Sequence, residues 1–133
     1  MAVTEGADWI LRSMVAMASS DGRLDSREIG LIQEVYRDQS GRSLTADEVA
    51  RAGSETAKGG GILAQLTEAA PSLDRDMKEE IIRASYLVLL ADDRIAGEER
   101  KRLQDIAAAL QVSEIHFGAI LEDLAIWLAR QKQ

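Results

Sequence analysis

The sequence predicts an all-α fold: a single compact domain of about seven helices with an internal pseudo-two-fold helix–loop–helix repeat. Three observations carry this expectation. A single proline, Pro71, interrupts 133 residues. Apolar side chains recur every third or fourth position rather than every second. Several periodic stretches open with a capping residue followed three positions later by Glu. A 14.5 kDa chain suits one core, and residues 1–133 are expected to form one domain.

The first helix is predicted from about Thr4 to Ser19, with Trp9, Ile10, Met14 and Met17 on its inner face. The second starts after Asp25, three residues before Glu28 as in a capping box. It carries Ile29, Ile32, Val35 and Tyr36 at helical spacing and ends near Gly41. Thr45 with Glu48 opens a third helix to about Lys58, whose apolar face is thin and broken by Gly53. Gly59, Gly60 and Gly61 then form a turn. No strand precedes them and no Lys-Ser or Lys-Thr pair follows, so a loop is expected rather than a phosphate cradle. A short helix runs from Ile62 to Ala69 and stops at Pro71-Ser72.

The fifth helix begins near Asp74, with Asp76, Glu79 and Glu80 in its first turns, where the helix dipole favours acids. Its Met77, Ile81, Ala84, Val88 stripe continues unbroken through the apolar run Tyr86-Leu87-Val88-Leu89-Leu90-Ala91, so helix is favoured over strand and burial on all sides is expected. Helix six, about Glu98 to Leu110, buries Leu103, Ile106 and Leu110. Ser113 caps a last helix that packs Phe117, Ile120, Leu121, Leu124, Trp127 and Leu128.

Composition excludes several functions. With no cysteine there is no disulfide, thiolate nucleophile or zinc finger, and a lone histidine, His116, leaves oxygen as the donor for any metal. Sixteen basic residues against 23 acidic ones give a net charge of −7, which repels phosphate backbones and anionic membranes, so nucleic acid is not expected as a partner. No apolar run is long enough for an integral membrane segment, and Glu5 and Asp8 stand where a secretory signal is basic. The expected location is the cytoplasm.

Shifted by 71 residues, Ile10–Gln39 aligns with Ile81–Leu110 without a gap. Ile10/Ile81, Arg12/Arg83, Asp21/Asp92, Arg23/Arg94, Glu28/Glu99 and Gln33/Gln104 are identical, several of them in the connecting loop. Two such hairpins, roughly residues 4–40 and 74–111, can bury their apolar faces against each other.

In each copy an Asp stands at a helix C-terminus and a Glu in the first turn of the next helix. The Glu complements the dipole; the Asp opposes it, at a cost of some tenths of a kcal/mol. A divalent cation, Ca²⁺, Mg²⁺ or Mn²⁺, would relieve the conflict, because helix-end carbonyls and carboxylates are hard oxygen ligands. Equally, Asp21 and Asp92 can accept loop N–H groups, Glu28 can close a capping box with Asp25, and Arg23 or Arg94 can neutralise the carboxylates with no ion present. Neither loop is an EF-hand: Arg holds the third position, and the Glu comes seven residues after the Asp.

The phrases Leu73-Asp74 to Lys78-Glu79-Glu80-Ile81-Ile82, Leu89-Leu90-Ala91-Asp92-Asp93-Arg94-Ile95, Glu98-Glu99-Arg100 and Leu103-Gln104-Asp105-Ile106-Ala107-Ala108-Ala109-Leu110 resemble the tellurite-resistance protein TerB family. Met17-Ala18-Ser19-Ser20-Asp21-Gly22-Arg23-Leu24-Asp25 to Glu28 is similar to that family's first acidic motif. A domain of the same type occurs at the N-terminus of the DjlA co-chaperones. The resemblance implies a seven-helix, pseudo-symmetric domain without enzymatic activity that takes part in tellurite and stress responses. It also implies metal ligands at Asp21, Glu28, Asp92 and Glu99, with Asp25 and Asp93 as further candidates. Asp93 replaces the glycine of the first loop and Ala96 the carboxylate matching Asp25, so the second loop departs from the first.

His116 has no nucleophile near it in sequence and is expected as a partly exposed, hydrogen-bonded side chain. Trp9 and Trp127 are expected in the core or lining a groove. Arg100-Lys101-Arg102 is expected as a solvated helix face with local ion pairs, or as a docking patch for an acidic partner. The function expected is that of a non-enzymatic cytoplasmic domain binding a divalent cation through its acidic loops. The alternative is a metal-free protein–protein interaction module, adaptor or co-chaperone-like, with another protein as partner in either case.

Overall fold

The computed structural model describes residues 5–19, 23–92 and 97–131, with side chains for 9–19, 23–91 and 100–131. These residues form α1 (Glu5–Ala18), α2 (Ser26–Ser40), α3 (Ala46–Lys58), α4 (Ile62–Ala69), a 3-10 turn at Ala70–Ser72, α5 (Arg75–Asp92), α6 (Gly97–Ala109) and α7 (Glu114–Gln131), with no strand among them.

Local chemistry sets the helix boundaries. Asp25 and Glu28 close a reciprocal box on α2: Glu28 N–H donates to Asp25 Oδ1 at 2.8 Å, and Asp25 N–H to Glu28 Oε1 at 2.9 Å. Thr45 and Glu48 do the same on α3. Asp74 caps α5 through Met77 N–H at 2.8 Å, and Ser113 caps α7 through His116 N–H at 3.1 Å. Gly41 ends α2 at φ +78°, a left-handed conformation that costs glycine little.

α1 and α5 make the most extensive helix pairing among the described residues, as their apolar content predicts. α1 also packs against α2, α3, α4 and α6, whereas α5 packs against α2, α6 and α7. Ser13, Met14, Val15, Ala16 and Met17 are consequently all buried, so α1 is enclosed around its full circumference there. The expectation of all-round burial at Tyr86–Ala91 is not met. Val88 and Leu89 are buried, but Tyr86, Leu87 and Leu90 are half-buried and Ala91 is exposed. An apolar run shows what a helix can bury; the number of neighbouring helices decides how much of it is covered.

Small side chains lie within the α1 and α5 core segments: Ser13 and Ser85 are both fully buried. Ser85 Oγ donates back to the Ile81 carbonyl at 2.7 Å, whereas Ser13 Oγ has no hydrogen-bond partner among the described residues. The last helix packs less than expected. Ile120 and Leu124 are buried, Phe117, Leu121 and Leu128 are half-buried, and Trp127 is 47 % exposed beside Ile126 at 46 %.

Candidate functional site

Of the candidate ligands, Asp21 and Asp93 lie outside the described residues. Asp92 is the last residue of α5 and Glu99 lies in the first turn of α6, with backbone but not side-chain positions described. Asp25 and Glu28 are described, the first exposed and the second half-buried, and are bonded to each other's backbone as above. One oxygen of each carboxylate is therefore engaged in starting α2. Among the described residues no group of three or more His, Asp or Glu side chains is arranged to hold a metal ion.

The C-terminal end of α1, just before the first acidic loop, has a partner that sequence spacing did not indicate. Arg102 Nη1 on α6 donates to the carbonyls of Ala16 and Met17, at 3.0 Å each. A guanidinium there satisfies carbonyls that the helix leaves unpaired and sets a positive charge at the negative end of the dipole. This corrects the expectation for Arg100-Lys101-Arg102. Lys101 does form a local ion pair with Asp105 at 3.6 Å and Arg100 is exposed, but Arg102 is half-buried and turned onto α1.

Arg102 also lines an open groove of about 250 Å³ with Val15, Gly53, Thr56, Gly61 and Leu63. Gln65 braces its rim: its amide donates to the Thr56 carbonyl at 2.9 Å and its oxygen accepts from Arg12 Nη1 at 3.1 Å. A Cβ at Gly59 would collide with the Gln65 amide, and Gly60 and Gly61 take φ of +91° and +92°. The triple glycine is thus a turn shaped by backbone and packing, as expected.

His116 is half-buried and hydrogen-bonded, as expected, and its partner stands on another helix. Its Nε2 lies 2.8 Å from Glu79 Oε2 on α5. That bond holds the Glu79 carboxyl below its ordinary pKa, with Arg75 assisting and burial opposing. The Glu48 carboxyl is also held low, by its Thr45 cap. The two tryptophans diverge. Trp9 is half-buried with the Arg12 guanidinium 5.2 Å from its ring centroid, whereas Trp127 lines a hollow between α2, α5 and α7.

No described helix is long and apolar enough to cross a membrane. Comparison with curated proteins and with solved structures gives no match. A family model described as Tellurite resistance protein TerB matches residues 10–122, a span that reaches from the core of α1 into α7, and the chain belongs to the TerB family.

Proposed function

We propose that this TerB-family domain is a non-enzymatic cytoplasmic binding module of a tellurite or stress-response system whose acidic loops hold a divalent cation, Ca²⁺, Mg²⁺ or Mn²⁺. The observation that carries the cation reading is the placement of oxygen donors along the backbone. α5 closes on Asp92 and α6 opens at Gly97, so the last carbonyls of one helix and Glu98-Glu99 of the next flank one four-residue connection. Asp92 and Glu99 are the ligands there; Asp21 and Glu28, with Asp25 nearby, are their counterparts in the first loop. Binding rather than catalysis is supported by the ionisation pattern. Among the described residues the two carboxyls with shifted pKa, Glu48 and Glu79, owe the shift to a helix cap and an inter-helix bond, whereas perturbed catalytic groups converge on one cleft.

Elemental analysis, together with melting curves in chelator and in each ion, tests the proposal. Ion at a hundredfold excess over its dissociation constant stabilises by about 2.7 kcal/mol, several degrees in Tm for a domain of this size. Glu99→Ala and Asp92→Asn should each melt near the parent in chelator and lose much of the ion-dependent rise. Ala96 stands where Asp25 caps the first copy, so no reciprocal box depends on Glu99, whereas Glu28→Ala would break one. If the parent shows no rise, or both variants keep all of it, the second reading takes over: a metal-free protein-interaction module. The Asp25–Glu28 box and the Arg102 guanidinium on the end of α1 favour it, because they satisfy that loop's flanks without an ion.

A further inference from the structure

A hollow of about 500 Å³ opens between the C-terminal end of α2, the first half of α5 and the last turns of α7. It is lined by Asp38, Glu80, Arg83, Asp123, Leu124 and Trp127. It is separate from the acidic loops: Arg83 precedes Asp92 by nine residues on α5, roughly 14 Å of helix. Leu124 is buried at its base, and Trp127 is half in solvent. Three helices thus contribute three carboxylates against one guanidinium. That guanidinium is already tied to its own helix, with Arg83 Nη1 3.6 Å from Glu80 Oε1 and Nη2 3.9 Å from Glu79 Oε1. Among the described residues neither Asp38 nor Asp123 has an ion-pair partner.

We propose that this hollow docks a basic segment of a partner protein, with a Lys or Arg side chain stacked on the Trp127 indole and neutralised by Asp38 and Asp123. The lining chemistry selects that occupant. Tryptophan is the aromatic side chain that best attracts a cation over its face, and carboxylates at the rim supply the charge complement. An apolar partner would cover the same carboxylates unpaired, at a desolvation cost its contacts with one indole and one leucine do not offset. A second copy of the chain, with a net charge of −7, would bring like charge to an already acidic hollow.

Two-dimensional ¹⁵N–¹H spectra of the full chain carry two indole cross-peaks, from Trp9 and Trp127, and Trp127→Ala identifies the second. Titration with the capped peptide Gly-Lys-Arg-Gly should move the Trp127 peak saturably and leave Trp9 in place. The acidic analogue Gly-Glu-Asp-Gly and the apolar analogue Gly-Leu-Val-Gly should move neither. Trp127→Ala, read through the backbone amides of α7, should weaken binding about threefold or more. The double variant Asp38→Asn with Asp123→Asn should weaken it and flatten its salt dependence. These three side chains are exposed, so the variants should keep the parental melting curve. The proposal is overturned by a silent Trp127 peak at millimolar basic peptide, by equal responses to the acidic or apolar peptide, or by parental affinity in the double variant. It is overturned equally by a Trp127 peak that moves with protein concentration alone, which would mark a second copy as the occupant.

Discussion

His116 Nε2 on α7 lies 2.8 Å from Glu79 Oε2 on α5, joining residues 37 apart in the chain. Arg75 Nε reaches the same carboxylate oxygen from 3.3 Å. The pair fastens the last helix to one of the two central ones near the edge of the core, where α7 buries only Ile120 and Leu124.

The His116–Glu79 bond gives stability a pH dependence of definite sign. The folded-state pKa of Glu79 lies below its reference value of 4.5. Its contribution is therefore fully present above that value and is lost as pH falls through the lower, folded-state pKa. Glu79→Gln should lower Tm by a few degrees at pH 7, corresponding to roughly 1 kcal/mol. The gap to the parent should narrow as melts are taken below pH 4.5 and close once pH has passed the lower, folded-state pKa. A gap that stays constant with pH would show that Glu79 acts by packing alone.

Arg102→Met keeps the aliphatic stem and removes the guanidinium from the Ala16 and Met17 carbonyls. The expected loss is about 1–3 kcal/mol, because two carbonyls at a half-buried helix end lose a charged donor. Lys101→Met, next to it, breaks only an exposed pair with Asp105 and should cost well under 1 kcal/mol. Denaturant unfolding of the two variants side by side checks the contrast, and equal losses would contradict the assignment of Arg102.

Ser13→Ala should stabilise the protein. Ser13 is fully buried and its hydroxyl lacks a partner among the described residues, whereas Ser85 on α5 satisfies its own. Removing an unpaired buried hydroxyl while keeping the small volume that the position requires should raise stability by about 1 kcal/mol or more. Ser13→Val, adding bulk at the same place, should lower it.

Val88→Asp should unfold the domain. Val88 is 1 % exposed, and an unpaired carboxylate there costs several kcal/mol against a total stability of about 5–15 kcal/mol. Far-ultraviolet circular dichroism at 25 °C should show loss of the helical signal, and a parental melting curve would refute the core assignment.

The elements were legible in the sequence because helices begin and end on local chemistry. Asp25 with Glu28, Thr45 with Glu48, Ser113 and Gly41 act within a few residues of themselves, and each does in the structure what its type and spacing predict. The core was legible where periodicity is strong, as at Met14, Ile32, Val88 and Ile106. Of the candidate site, the sequence placed Asp92 at the end of one helix and Glu99 in the first turn of the next, and the bounds of α5 and α6 agree. Tertiary structure decided the rest, because it depends on which helices meet. Enclosure by α2 to α6 buries residues 13–17 of α1 entirely, while the more apolar Tyr86–Ala91 stays partly open. Arg102 reaches across 86 residues to the Ala16 carbonyl, and His116 finds Glu79 rather than its neighbours on α7. Trp127, at a position spaced for a core, is left on the wall of a hollow because no described helix covers that face of α7. Local patterns encode helix faces and caps, but which long side chains cross between helices is fixed only when packing sets the distances between them.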